Sequence, residues 1–104
     1  MAEKTLVDYD ENNDDLFLKR GSEKYEASME IGDFIVDFSK NDKIVGIEII
    51  NASKNFGVAK ALLKSVKSAS LAVTQRNQAM MVTAILVLEN DQEIRTAIPI
   101  AIKN

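Results

Sequence analysis

Between Ala79 and Glu89 the side chains of Met80, Val82, Ala84, Leu86 and Leu88 alternate with those of Met81, Thr83, Ile85 and Val87, so an extended chain here is apolar on both faces. The run is about half the ~20 residues that a membrane-crossing helix needs, and it is expected to form a buried strand. Such a strand has to be covered twice, because a folded monomer seldom leaves a contiguous apolar patch larger than a few hundred Å² in water. A helix can cover one face. The other falls either to the N-terminal hairpins, folded over as a sandwich layer, or to the same surface of a second subunit. The strand that follows places Ile94, Ile98, Ile100 and Ile102 on one face. This enlarges the area to be hidden and favours a homodimer, the commonest closed assembly.

The rest of the chain is punctuated by turn formers. Glu11-Asn12-Asn13-Asp14 precedes the apolar triplet Leu16-Phe17-Leu18, which predicts a hairpin. After Arg20-Gly21-Ser22, the alternation of Tyr25, Ala27, Met29 and Ile31 predicts a half-buried strand. If Asn41-Asp42 is a two-residue loop, Phe34 lies opposite Ile49, Val36 opposite Ile47 and Phe38 opposite Val45, and one face of that hairpin becomes wholly apolar. In the next segment Ala59, Leu62, Leu63 and Val66 fall at helical spacing behind the cap candidates Asn51, Ser53 and Asn55, which predicts one helix over about 54–68. A three-stranded meander follows, with strands over 70–75, 79–89 and 93–103. Pro99 marks the last as an edge strand with that position turned outward, since proline has no N–H for a ladder. The fold class expected is α+β, with antiparallel hairpins and the C-terminal meander around one helix, as a single domain over 1–104.

The chain has neither Cys nor His. Thiol nucleophiles, Ser-His-Asp triads, zinc ribbons and haem ligation are therefore excluded. Catalysis is left to carboxylates, Lys or Tyr, and metal binding to an all-oxygen site. The charged start, Met1-Ala2-Glu3-Lys4, lacks the basic and then apolar pattern of a secretory signal, so a cytoplasmic location is expected and no membrane contact. Net charge is −3, unevenly distributed: residues 1–53 hold six basic and thirteen acidic side chains, residues 54–104 seven and three.

Three groups of residues are candidate sites, each with an ordinary surface role as the alternative. Asp8, Asp10 and Asn12 alternate like the opening of a calcium loop, but the sixth position is Asn13 instead of Gly and the twelfth is Lys19 instead of Glu. An acidic hairpin turn with no bound metal is expected. Asp37 and Glu48 sit diagonally on the polar side of the central hairpin, where two carboxylates can split their pKa values for acid-base work. The simpler reading is a pair of solvent-facing strand residues. Lys60, Lys64 and Lys67, with Lys54 before them, line one helix flank. A lysine row can hold phosphates, yet no aromatic residue accompanies it and the sequence pI is about 4.9, so a solvated flank is expected and nucleic acid is not. The four glycines, Gly21, Gly32, Gly46 and Gly57, are too far apart to make a phosphate loop, and no cofactor is expected.

Two segments carry a family resemblance. They are Tyr9-Asp10 through Asp14-Asp15-Leu16-Phe17-Leu18, and Asp33 to Phe38 followed by Val45-Gly46-Ile47-Glu48-Ile49-Ile50-Asn51-Ala52-Ser53. In order and spacing the chain over roughly 9–54 resembles the small bacterial and archaeal domain of unknown function numbered 2283. The resemblance implies a compact β-rich domain, an oligomer, with the Gly46-Ile47-Glu48-Ile49 strand central, and brings no assigned activity. Some members of that family are encoded beside small toxin-like proteins, which implies an antitoxin-like partner role as an alternative. The functional expectation is a noncatalytic domain acting through protein contacts, with self-association as its main form, a small protein partner as the second, and a carboxylate-based enzyme as the most distant.

Overall fold

The computed structural model describes residues 5–101. Among these residues eight strands form two antiparallel sheets. The first has the order β1-β2-β5-β4-β3 and the second β6-β7-β8. In chain order, β1 (Thr5–Asp10), β2 (Asp15–Arg20), β3 (Ala27–Ile31), β4 (Phe34–Phe38) and β5 (Ile44–Ile49) precede two short helices, α1 (Ala52–Phe56) and α2 (Lys60–Leu63). Then come β6 (Val66–Arg76), β7 (Ala79–Leu88) and β8 (Glu93–Ala101). The alternating pattern sends Leu16, Leu18, Val36, Ile47 and Ile49 inward from the first sheet. Leu71, Val82, Ala84, Leu86, Ile94, Ile98 and Ile100 come in from the second, and all twelve belong to one core. The two sheets are thus layers of a sandwich, with the Gly46-to-Ile49 strand in the middle of the larger one. β1 and β2 lie against β6 along one side, where the Arg20 guanidinium donates to the Leu71 carbonyl at 3.1 Å.

The fold is mainly β, and the helix expected over 54–68 does not form. Gly57 takes a left-handed conformation (φ 69°) and closes α1 after five residues, a geometry that glycine adopts without steric cost. Ala59 is extended before a second helix of four residues. From Val66 onward the chain pairs with β7, Val66 opposite Leu88 and Leu71 opposite Ala84. Of the residues at helical spacing only Leu63 is buried, whereas Ala59 and Leu62 are exposed. Burial of Leu71 against Ala84 therefore outweighs a local helical preference that the β-branched Val66 and the serines Ser65, Ser68 and Ser70 make weak. The meander is present, its first strand beginning at Val66 instead of Ser70.

Two other expectations change. Phe34 faces Ile49 and Val36 faces Ile47, but Phe38 faces Ile44 and not Val45. The loop has three residues: the Asp42 N–H donates to the Ser39 carbonyl (3.0 Å), the Ser39 N–H to that of Lys43 (2.8 Å), and Asp42 is left-handed (φ 59°). A type I turn followed by one left-handed residue brings a bulge with it, and Val45 absorbs the extra position. β3 is exposed at every residue except Ile31, which is half-buried. It is the outer strand of a five-stranded sheet facing only three, so little lies above it.

β8 is an edge strand and Pro99 is exposed on it. No helix among the described residues is long and apolar enough to cross a membrane.

Candidate functional site

Asp14 ends the β1–β2 turn in a left-handed conformation (φ 55°) and is buried. Its carboxylate accepts the Tyr9 hydroxyl (2.6 Å), the Ser53 hydroxyl (2.7 Å) and the Ser53 N–H (3.1 Å), while its backbone carbonyl accepts the Ala52 N–H (2.9 Å). These two N–H groups open α1 and have no partner inside the helix. Asn51 stands at the cap position but is itself left-handed (φ 54°) and makes no side-chain cap bond. A residue 39 positions earlier therefore caps α1. Burial would raise the Asp14 pKa, but the bonds from Tyr9 and Ser53, together with the charge of Lys60, hold it below its ordinary value. The Tyr9 hydroxyl is pushed upward, first by burial and then by its bond to Asp14.

Tyr9, Asp14 and Ala52-Ser53 are among the positions that carry the family resemblance, and the fold brings them together as a clamp between β1, the first turn and α1. The sequence reading placed Asp14 only in an acidic turn. Its signal was present in the pattern, without the partner that explains it.

The rest of that turn is also committed to its own backbone. The Asp10 carboxylate accepts the N–H groups of Asn12 (3.1 Å) and Asn13 (3.3 Å) and the Asn13 amide (2.8 Å), which hold its pKa low, the Asn13 side chain contributing most. Among the described residues no group of three or more acidic side chains converges on a metal position. Titration calorimetry with calcium or magnesium is expected to give no specific binding. A dissociation constant tighter than about 10 μM, inside the calcium-sensor range, would contradict this.

The lysine row is dispersed. Lys60 lies in α2, Lys64 follows it and pairs with Glu11 (3.3 Å), and Lys67 is on β6, paired with Asp91 (2.7 Å). Lys67 is thus parted from Lys60 and Lys64, and the single helix flank that would have aligned all three does not exist among the described residues.

Asp37 and Glu48 do share the outer face of the five-stranded sheet, on the diagonal the sequence predicted. One rank across the strands reads Phe17, Glu48, Ile35 and the next reads Lys19, Gly46, Asp37, Ser28. Glu48 is raised in pKa, mainly by burial between its neighbours and then by Asp15 and Asp37. Asp37 accepts the Ser28 hydroxyl at 2.6 Å.

The outer face of the smaller sheet carries different chemistry. Its middle ranks are Ser70-Ile85-Arg95, Ala72-Thr83-Ala97 and Thr74-Met81-Pro99. Thr83, Ile85 and Val87 on β7 are only half-buried and Met81 is 40% exposed. The first sheet covers the inner face of β7, and the helix expected over its other face is absent.

Among the described residues these features define a small two-layer β domain with a buried polar clamp and, on the smaller sheet, an outer face of mixed apolar and polar side chains. The chain belongs to the family described as Protein of unknown function (DUF2283), whose match covers residues 6–53: the five-stranded sheet and α1 as far as Ser53. It is 35% identical over 82 residues to a Methanosarcina mazei protein named "Putative hypoxanthine phosphoribosyltransferase", a match covering 74% of this chain and 67% of that one. It is 42% identical over 64 residues to the uncharacterized protein MJ0789 of Methanocaldococcus jannaschii, covering 61% of this chain and 55% of that protein. No solved structure matches the chain.

Proposed function

We propose that the chain is one noncatalytic domain that acts through protein contacts, chiefly by pairing the outer face of β6-β7-β8 with the same face of a second copy. The observation that carries this reading is the uncovered centre of β7. Ile85, Thr83 and Met81 run along it, with Ala72 and Ala97 beside Thr83. Small side chains at the centre allow two sheets to approach to about 10 Å. A two-fold axis through the rank Ala72-Thr83-Ala97, perpendicular to the strands, sets Ile85 of one copy over Met81 of the other and Arg95 over Pro99. No like charges are then opposed, because Glu93 and Arg95 are already paired with each other on the rim. A self-complementary patch of this kind is what a closed dimer requires.

Light scattering after size exclusion is expected to give a dimer at micromolar concentration, and Ile85→Lys, which places two charges in one interface, a monomer. A single 11.5 kDa species that persists as concentration rises would overturn the dimer.

The phosphoribosyltransferase name of one relative does not supply a better reading. Diphosphate groups are commonly held on helix N-termini, and the α1 N–H groups that would serve are bonded to Asp14. Acid-base catalysis by Asp37 and Glu48 is also less well supported. Both side chains are half-buried, and Asp37 already accepts the Ser28 hydroxyl.

A further inference from the structure

The outer face of the five-stranded sheet, in the layer away from the proposed dimer surface, holds a pit of about 430 Å³. Its floor is Gly46. A Cβ there would stand only 3.1 Å from the Leu18 carbonyl and 3.2 Å from Asp37 Oδ2, so any other residue would press on the strand beside it and on the Asp37 carboxylate. Phe17, Ile35 and Tyr25 border it, with Phe17 41% and Tyr25 63% exposed. Two carboxylates reach the same space. Asp37 spends Oδ1 on Ser28 and has Oδ2 beside the gap. Glu48 stands between Phe17 and Ile35 in its rank. Lys19, the cation at the rim among the described residues, donates to the Glu23 carbonyl at 3.0 Å and not to either acid. Neither Asp37 nor Glu48 has an ion-pair partner among the described residues.

Aromatic rings beside two carboxylates that have no ion-pair partner among the described residues complement a flat, weakly hydrated cation. A guanidinium can lie on a ring and direct its N–H fork at a carboxylate at the same time. The excess of acidic side chains in residues 1–53 adds a favourable field. We infer that this pit binds a guanidinium group, supplied by an arginine side chain of a partner protein or by a small guanidino compound. The inference does not rest on the dimer and stands if the chain is monomeric.

The test is an amide NMR titration of the ¹⁵N-labelled chain with N-acetyl-arginine amide and, separately, with methylguanidinium. N-acetyl-citrulline amide serves as the neutral control of the same shape. Saturable shifts are expected at Phe17, Ile35 and Gly46, with a dissociation constant of about 1 mM, and none on the outer face of β7. Binding by the arginine derivative alone identifies a protein side chain as the ligand; comparable binding by methylguanidinium identifies the free group as sufficient. Glu48→Gln and Asp37→Asn keep shape and remove charge, and each is expected to weaken binding about tenfold with the unliganded spectrum otherwise preserved. Absence of saturable shifts up to about 20 mM, equal shifts with the citrulline control, or full binding by both charge-removed variants would overturn the assignment.

Discussion

Asp14→Ala is expected to lower the free energy of unfolding by about 3 to 4 kcal/mol. Hydrogen bonds to a charged group contribute about 1.5 to 3 kcal/mol and do not add fully, and an alanine held at positive φ costs a further 1 to 2 kcal/mol or so. The variant leaves the Tyr9 hydroxyl and both donors of Ser53 without their acceptor. Asp14→Asn keeps one acceptor oxygen and tolerates the left-handed backbone, so a loss of about 1 to 2 kcal/mol is expected. The difference between wild type and Asp14→Asn also depends on pH. The folded-state pKa of Asp14 lies below the ordinary value of 3.8, so the unfolded chain takes up its proton first as pH falls. The stabilisation is complete above the unfolded pKa and is lost as pH falls through the folded one. Urea melts of the two proteins should therefore stay a constant distance apart from neutrality to about pH 5 and draw together below about pH 4. An alanine variant as stable as wild type would dispose of the clamp.

Ile47→Ala should cost about 2 to 5 kcal/mol, the range for removing a buried aliphatic side chain. Ile47 is 2% exposed in the central strand, with Leu18 on one side and Val36 on the other, so the cavity left behind has rigid walls and little means of collapsing. Lys64→Ala should change stability by no more than about 0.5 kcal/mol. Its ion pair with Glu11 joins two side chains that are each about half exposed, and water replaces what is lost. Denaturant midpoints that move equally for both variants would contradict the register of the first sheet.

Clamp and central strand differ in how much of each was legible from residues alone. Ile47 is readable because strand alternation is local and puts it on the apolar side of its hairpin; the two-residue Asn41-Asp42 loop does not form, and the three-residue loop with its bulge at Val45, which restores the pairing, follows from the left-handed Asp42 and not from the apolar pattern. Asp14 could be seen only as one acid among several. Its function depends on Ser53, which no local spacing connects to it.

The pit and the uncovered face divide in the same way. The diagonal of Asp37 and Glu48 and the doubly apolar character of residues 79–88 were visible from alternation. That Phe17 and Tyr25 border the same acids depends on β2 pairing with β5 and on the segment before β3, both outcomes of sheet order.

The strands and most of their facing are local properties of the chain, because a period of two and turn residues act over a few positions. Both faces of residues 79–88 were also legible as largely apolar, and the structure buries one of them. The tertiary structure alone decided the fate of residues 54–68. The first part of that stretch breaks into two short helices, and its end becomes strand from Val66, where pairing with β7 buries Leu71 and part-buries Val66. Packing energy of that kind is set by the partner and is not written in the segment. The same dependence on distant partners left β3 exposed under a narrower second sheet and gave α1 its cap from Asp14.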